Sequence, residues 1–519
     1  MVDIQIIQMV EEVNNIQNPY NQQSMMPPQQ PIPIGYMGRV RSGMRKITDK
    51  FPSWVSRDAV IAYLIALVTI SFVYNEYAMQ WYWWVFGIVG VLGFFFGSQY
   101  SFNEWGKLKE KTFNRKVFLT SLVIRVVMVF ILYWFFEAMT GQPFMFESAD
   151  EQLYEELGTW FTNSIREGKW KSEFYTWVTE NVDLSDLGFP FYIGAVYYLT
   201  DDSIIAIRLL NALWSALTCV LVYKLGKRNF GENAGRMAAI FMMLEPHYII
   251  YCGFHLKETL MIFLLVLFLE RADLLLRSRN FRFWSVVPVF LILLLLFTFR
   301  TPLGIAASLA IILALVLSSQ KVANLGRRWL LLILFVFGAG IFVGGRISSE
   351  IEHLWQTKDN NQELRMTTIQ RTQGLAKYAT KTVFAPMIFT IPFPTMVETE
   401  GQENHRLLHS GAVVKNITSF FCIMALVMLI INSGPSGWRN NVLLGAYLIT
   451  YLMIIIQSAF VHADRFHLPA YVVELLFAAY GITLMTKAKH KRWYTYWCVL
   501  MFVAWIGWAY FKLAGRGLE

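Results

Sequence analysis

"VFLTSLVIRVVMVFILYWFFEAMTGQPFMFESADEQLYEELG", residues 117–158, joins two kinds of sequence. Residues 117–137 are apolar apart from Thr120, Ser121, Arg125 and the terminal Glu137. A helix needs about 20 such residues to cross a bilayer. Beyond Phe136 the chain crowds in Glu147, Asp150, Glu151, Glu155 and Glu156. The stretch therefore reads as a membrane-spanning helix that delivers an acidic segment to the lipid boundary.

Runs of the same kind recur on either side. They lie near 58–76, 80–98, 117–137, 204–223, 236–253, 259–276, 284–299, 302–319, 329–345, 412–431, 442–460, 469–486 and 493–511. The expectation is an all-α polytopic membrane protein with about 13 transmembrane helices. Lys and Arg in short loops mark the cytoplasmic side. Arg39, Arg41, Arg45, Lys46, Lys50 and Arg57 precede the first run, and Lys107, Lys109, Lys111, Arg115 and Lys116 follow the second. Lys224, Lys227 and Arg228, then Arg277, Arg279 and Arg282, then Lys321, Arg327 and Arg328, and finally Lys487, Lys489, Lys491 and Arg492 fall on that same side. The N-terminus is placed in the cytoplasm of an inner or plasma membrane protein. Loops 138–203 and 346–411, with the links 254–258, 300–301 and 461–468, are placed outside.

Composition agrees. The 519 residues are 55% hydrophobic and 16% charged, against about a quarter charged in a soluble globule. Nothing in the net charge of +9 reads as nucleic-acid binding, because its basic residues sit in loops between spans. Cys219, Cys252, Cys422 and Cys498 all lie in apolar runs, which argues against a disulfide framework or a thiolate metal site. The start, "MVDIQIIQMVEEVNN", lacks a basic n-region or cleavage site, and residues 14–34 are a Gln/Asn/Pro-rich linker. The chain divides into a cytoplasmic segment 1–55, two additional spans with a basic loop over 56–116, a catalytic transmembrane module over 117–345, a second large outer loop over 346–411, and C-terminal spans over 412–519.

Loop 138–203 is acidic and long enough to build a site. On a helix, Leu153, Leu157, Trp160 and Phe161 form one apolar stripe, with Glu155, Glu156 and Thr159 opposite and solvated. Glu151 follows Ser148 at capping-box spacing. Asp150 projects near the centre of the stripe, where a carboxylate is costly without a partner or a task. Asp150 is the first choice for a catalytic residue and Glu151 the second. "FPFYIGAVYYL", 189–199, is too short to cross and reads as an amphipathic juxtamembrane helix on the bilayer surface.

Other polar residues gather at the same outer boundary: His255, Lys257 and Glu258 in "GFHLKETL", Arg300 in "FTFRTPLG", and His462, Asp464, Arg465 and His467 in "VHADRFHLP". Arg208 starts the run at 204–223. A single boundary cation is best read as snorkelling to headgroups. Three tight links each carrying one read equally well as a site for an anionic ligand. Inside the bilayer, Arg125, Glu245, His247 and Glu474 are fewer than a proton or ion relay usually displays, although they could serve one.

From residue 117 to about 320 the chain resembles the GT-C glycosyltransferases of the dolichyl-phosphate-mannose-protein mannosyltransferase family (glycosyltransferase family 39) and its bacterial relatives, including the aminoarabinose transferases. The resemblance rests on "SADEQLY", on "DLGFPFYIGAVYYLTDDSIIAIRLLNALWSALTCVLVYKLGKRNFG" (186–231), on "AAIFMMLEPHYIIYCGFHLKETLMIFLLVLF" (238–268), and on "ADRFHLPAYVVELLFAAYG" (463–481). It implies a GT-C-like fold and a membrane enzyme that takes a sugar from a polyprenyl-phosphate carrier to a glycan, lipid or protein acceptor outside the cytoplasm. It also implies that Asp150 and Glu151 serve the acceptor as base and binding group, and that Glu258 is a second acidic residue of the site. The chain departs from the family in its two added N-terminal spans and in "DLGFPFY", which lacks the usual basic-Pro-Pro-Leu.

The chemistry also follows from the residues. A lipid-linked donor presents C1 at the interface, and transfer needs a base for the acceptor hydroxyl and cations for the departing phosphate. Asp150 suits the first role; Lys257, Arg300 and Arg465 suit the second, with Arg208 and His255 as further substrate-binding candidates. An Asp-Glu pair can hold a divalent cation, although no Asp-x-Asp spacing requires one. Rival readings are an O-antigen-type polymerase or ligase, a lipid-linked sugar flippase, and a structural envelope subunit.

Overall fold

Run length is a local property, and seven of the apolar runs keep it on folding. The computed structural model describes residues 50–172, 187–278, 283–317, 335, 387–432, 438–457, 463–485 and 488–518. Within them the chain is helical almost throughout, with one isolated bridge between Ala78 and Val397. The first hairpin is α1 (Ser53–Val73) and α2 (Trp81–Trp105), followed by the long α3 (Glu110–Thr140). Two shorter helices come next, α4 (Ala149–Arg166) and α5 (Gly188–Thr200), and then α6 (Ile204–Phe230). The centre holds α7 (Glu232–Leu244), α8 (Pro246–Ile250), α9 (Glu258–Arg277), α10 (Phe283–Phe299) and α11 (Thr301–Leu317). The C-terminal part has α12 (Glu403–Leu407), α13 (His409–Asn432), α14 (Val442–Gln457), α15 (Asp464–Leu484) and α16 (Ala488–Ala514).

The expectation of about 13 transmembrane helices is corrected to seven long apolar helices among the described residues: α1, α2, α3, α6, α13, α15 and α16. Each lost span has its own reason. The run at 236–253 is cut where Glu245 and Pro246 follow Leu244, because proline cannot donate to the preceding turn. The run at 259–276 does become α9, but its last turns carry Glu270, Arg271, Asp273 and Arg277. The runs at 284–299, 302–319 and 442–460 give apolar helices of 10–17 residues, short of a full crossing. The run at 329–345 lies outside the described residues except for Phe335, as do segment 1–49, most of loop 346–411, residues 173–186 and His462.

The helices of the first hairpin are apolar on their exposed face as well as on their packed one, as contact with lipid requires. α1 buries Ala59, Tyr63, Ala66 and Ile70 and leaves Ile61, Ile65, Val68 and Phe72 exposed. The middle of the bundle is α7 to α9, where residues 234–254 are buried apart from Leu244 at the break. α6 packs on α3, α7 and α9, and α15 packs on α7 and α13. The added hairpin α1–α2 closes onto α16 and α13, where the Tyr494 hydroxyl donates to the Val55 carbonyl at 2.9 Å.

Ion pairs define two ends of this bundle. At the basic end, Lys227 meets Glu110 at 2.6 Å, and Arg228 bridges Glu270 and Asp273 at 2.9 and 2.8 Å. The opposite end, the site end, carries α4, α5, α12 and the first turns of α9 and α15.

Candidate active site

The site is built on α4. Its first turn holds Asp150 and Glu151, charges that suit the positive end of a helix. Its buried residues, Glu151, Tyr154, Gly158, Phe161 and Thr162, repeat at helical spacing and face α5. Two glycines permit the approach: a Cβ on Gly158 would lie 2.3 Å from Ile193, and one on Gly194 would lie 2.4 Å from Phe161. The buried face is therefore not the predicted stripe. Phe161 belongs to it, whereas Leu153 and Trp160 are exposed. In a membrane protein an apolar face can point to lipid, so hydrophobicity does not by itself pick the packed side.

Asp150 points to the C-terminal half of the chain, where its Oδ2 accepts from Arg465 Nη1. The Asp150 and Arg465 side chains are 42% and 33% exposed, so the pair is reachable. Around it stand the other cations. Arg300 and Arg465 both lie over the Phe466 ring, 4.5 and 5.1 Å from its centre. Arg300 Nη2 is 3.3 Å from Glu258 Oε1, and its Nη1 has no hydrogen-bond partner. Lys257 Nζ sits 5.8 Å from the centre of the Tyr154 ring. Burial lowers the Lys257 ammonium to about 7, and neighbouring Arg300 acts in the same direction against Glu258. Five of the predicted residues, Asp150, Lys257, Glu258, Arg300 and Arg465, thus meet, joined by Tyr154.

The other three meet elsewhere. Glu151 is fully buried and accepts two backbone donors, Met145 N–H at 2.7 Å on Oε2 and His255 N–H on Oε1. Burial raises its pKa, opposed by Arg208 and by those two donors. Arg208 is also fully buried; its Nη2 donates to the Pro143 carbonyl, its Nε and Nη1 have no hydrogen-bond partner, and the guanidinium lies 5.8 Å from the centre of the Tyr133 ring. His255 Nε2 lies 3.2 Å from Glu155 Oε2, which also accepts from the Tyr197 hydroxyl.

Two expectations are corrected here. Glu151 does not close a capping box: Ser148 makes no side-chain cap bond, and the carboxylate is held by residues on two other segments. Glu155 is not merely solvated, because Tyr197 and His255 converge on it. Glu155, Tyr197 and Tyr154 are the site-end residues that sequence reasoning passed over. The available signal was Glu155 standing four residues after Glu151, on the same helical face.

Beside the site lies a cavity of about 710 Å³, lined by Gln142, Phe146, Glu147, Gln152, Glu400 and Glu403 among others. Ala149 and Gln152 line it and Asp150 does not, so it opens on the neighbouring face of α4. Its lining includes three glutamates and no Lys or Arg. Among the described residues, no group of three or more His, Cys, Asp or Glu could hold a metal ion.

One family model, described as dolichyl-phosphate-mannose-protein mannosyltransferase, matches residues 187–343. The match is consistent with GT-C membership over less than a third of the chain. It contains Arg208, His255, Lys257, Glu258 and Arg300, and it leaves out Asp150, Glu151 and Arg465. No curated protein matches the chain.

Proposed function

We propose that this membrane protein is a glycosyltransferase that moves a sugar from a polyprenyl-phosphate carrier to an extracytoplasmic acceptor, with inversion at C1. One observation carries the reading: a reachable carboxylate, Asp150, stands in a cluster of three cations that come from three separate links. In this reading the N-terminus and the basic end face the cytoplasm, and residues 117–345 form the catalytic module. The donor's isoprenoid tail stays in lipid beside the exposed Leu153 and Trp160. Its phosphate lies against Arg300, Arg465 and Lys257, which stabilise the negative charge that grows as the C1–O bond breaks. Asp150 takes the proton of the acceptor hydroxyl as the new C1–O bond forms. One base acting opposite the leaving phosphate gives inversion.

The acceptor enters through the neighbouring cavity. Its carboxylates favour a neutral or cationic hydroxyl-bearing group there and repel a diphosphate-linked glycan, which argues against the polymerase or ligase alternative. A lipid-linked sugar flippase would bind the same lipid but release no free polyprenyl phosphate.

The test uses polyprenyl phosphate itself, the part shared by every donor of this class. Native mass spectrometry should show it bound to the wild-type protein. Arg300→Ala and Arg465→Ala should each weaken binding about ten- to a hundredfold, since a charge-assisted hydrogen bond to phosphate is worth about 1.5–3 kcal/mol. Lys at either position should restore only part of it, since a point charge lacks the guanidinium fork. Unchanged binding in the double Ala variant would remove the donor assignment.

A further inference from the structure

The added hairpin α1–α2 is fastened at the site end to residues 397–409. Its turn, at Tyr77 and Ala78, meets that segment edge to edge. Val397 pairs with Ala78 in the isolated bridge, and the Glu398 N–H donates to the Tyr77 carbonyl at 2.7 Å. Residues 391–402 are not helical, so their backbone groups need partners from outside the segment. The hairpin supplies one of them. Arg406 supplies another, its Nη1 donating to the Thr399 carbonyl at 2.7 Å.

Arg406, on α12, is the centre of these contacts. It is fully buried, and its Nη2 lies 2.9 Å from Glu403 Oε1 and 3.0 Å from Glu398 Oε1. The hairpin holds it from two sides. The Trp83 ring of α2 has its centre 5.7 Å from the Arg406 guanidinium carbon. Tyr63 of α1 reaches the Arg406 backbone through His409, whose Nδ1 is 2.5 Å from the Arg406 carbonyl and whose Nε2 is 3.0 Å from the Tyr63 hydroxyl. A carbonyl only accepts, so Nδ1 carries the proton and Nε2 accepts from Tyr63. Two glycines of α2 permit this approach: a Cβ on Gly87 would overlap His409, and one on Gly90 would overlap Ser410. Trp83 also reaches the first loop, its ring edge-on to Phe146 with 6.1 Å between centres. Asn404 Nδ2 closes the circuit by donating to the Phe146 carbonyl at 2.6 Å.

The segment held in this way is a wall of the cavity beside Asp150. The first loop contributes Glu147 and Gln152 to the lining, and the held segment contributes Glu400, Gly401 and Glu403. The two approach closely at one point, where a Cβ on Gly401 would lie 3.2 Å from Glu147 Oε1. Arg406 pairs with Glu398 and Glu403, whereas Glu147 and Glu400 form no ion pair among the described residues. Like charges on two facing segments repel, so their separation has to be set by what holds each backbone. We propose that the added hairpin is a specificity device: it fixes residues 397–409 so that Glu400 stands with Glu147 in the cavity and turns anionic acceptors away. This rests on the reading above, in which the acceptor enters by that cavity. Trp83 and Tyr63 are positioning residues, acting through Arg406 and His409.

The experiment reads the electrostatic field in the cavity and needs neither donor nor acceptor. Gln152→Cys places one reachable thiol there, because Cys219, Cys252, Cys422 and Cys498 are all buried. Its rates with a trimethylammonioethyl and a sulfonatoethyl methanethiosulfonate are each divided by the rate of that reagent with free 2-mercaptoethanol. The cationic reagent should then be favoured severalfold, since a negative field speeds one and slows the other. Adding Glu400→Gln should remove part of that preference. Adding Trp83→Leu should remove as much, although it leaves every carboxylate in the chain. Should Trp83→Leu fail to fold, Tyr63→Phe, which deletes only the hydroxyl on His409, should give a smaller loss in the same direction. No preference in Gln152→Cys itself, or a full preference in the folded hairpin variant, overturns the proposal. Polyprenyl phosphate binding is measured separately: its failure removes the donor assignment and leaves the labelling preference unchanged.

Discussion

Asp150 and Glu151 are neighbours in sequence, yet about 100° of helical turn puts them in different worlds. Asp150 is 42% exposed by side chain and is held by one partner, the Arg465 guanidinium. Glu151 is fully enclosed and held by two backbone donors, with buried Arg208 beside it. A group that exchanges protons with substrate needs access and a partner that can be shared. A group that clamps loop 143–146 to the turn at His255 needs neither. On the proposed function the acidic pair divides its labour: Asp150 would serve the chemistry, while Glu151 holds the 143–146 segment to the turn at His255.

Four measurements press on that division. The largest effect is expected at Asp150→Asn, which should lower single-turnover transfer about 100- to 10,000-fold while thermal stability and polyprenyl phosphate binding stay near wild type. Full activity in this variant would end the contrast. Glu151→Gln should act in the opposite sense. An amide has one acceptor oxygen, so either the Met145 or the His255 N–H must face an NH₂, at a cost of about 1–3 kcal/mol in stability. Its turnover per folded molecule should change far less than that of Asp150→Asn. Equal and complete loss in both would mean that the two carboxylates act as one unit.

The next effect is pH-dependent. With the Lys257 ammonium lowered to about 7, the group loses its charge as pH rises through that value, and the phosphate loses one cation. Polyprenyl phosphate binding should weaken about tenfold on the alkaline side, the effect of removing one charge-assisted hydrogen bond. Lys257→Arg should flatten the dependence, because guanidinium stays charged. A wild-type curve that is already flat would show that Lys257 lies off the phosphate. The smallest effect is reserved for Tyr197→Phe. Without its bond to Glu155 the protein should lose about 0.5–1.5 kcal/mol of stability and keep its turnover. A large fall in turnover there would move the Glu155–His255 pair from support into chemistry.

The sequence by itself determined the membrane class, the all-α build and seven of the long helices, because apolar length accumulates over consecutive residues. It also singled out Asp150, Lys257, Glu258, Arg300 and Arg465, since charge at a lipid boundary is costly wherever it stands. Only the tertiary structure decided how those charges are partnered. Glu151 and Glu155 look alike in the sequence as first-loop carboxylates. One is clamped to the backbone at His255, the other receives Tyr197, and the four-residue spacing that puts them on one helical face names neither partner. The same holds for His405, Asp464 and His247, drawn together from three distant segments. Burial and ion pairing depend on distances through space between residues far apart in the chain, and those distances exist only once the helices have packed.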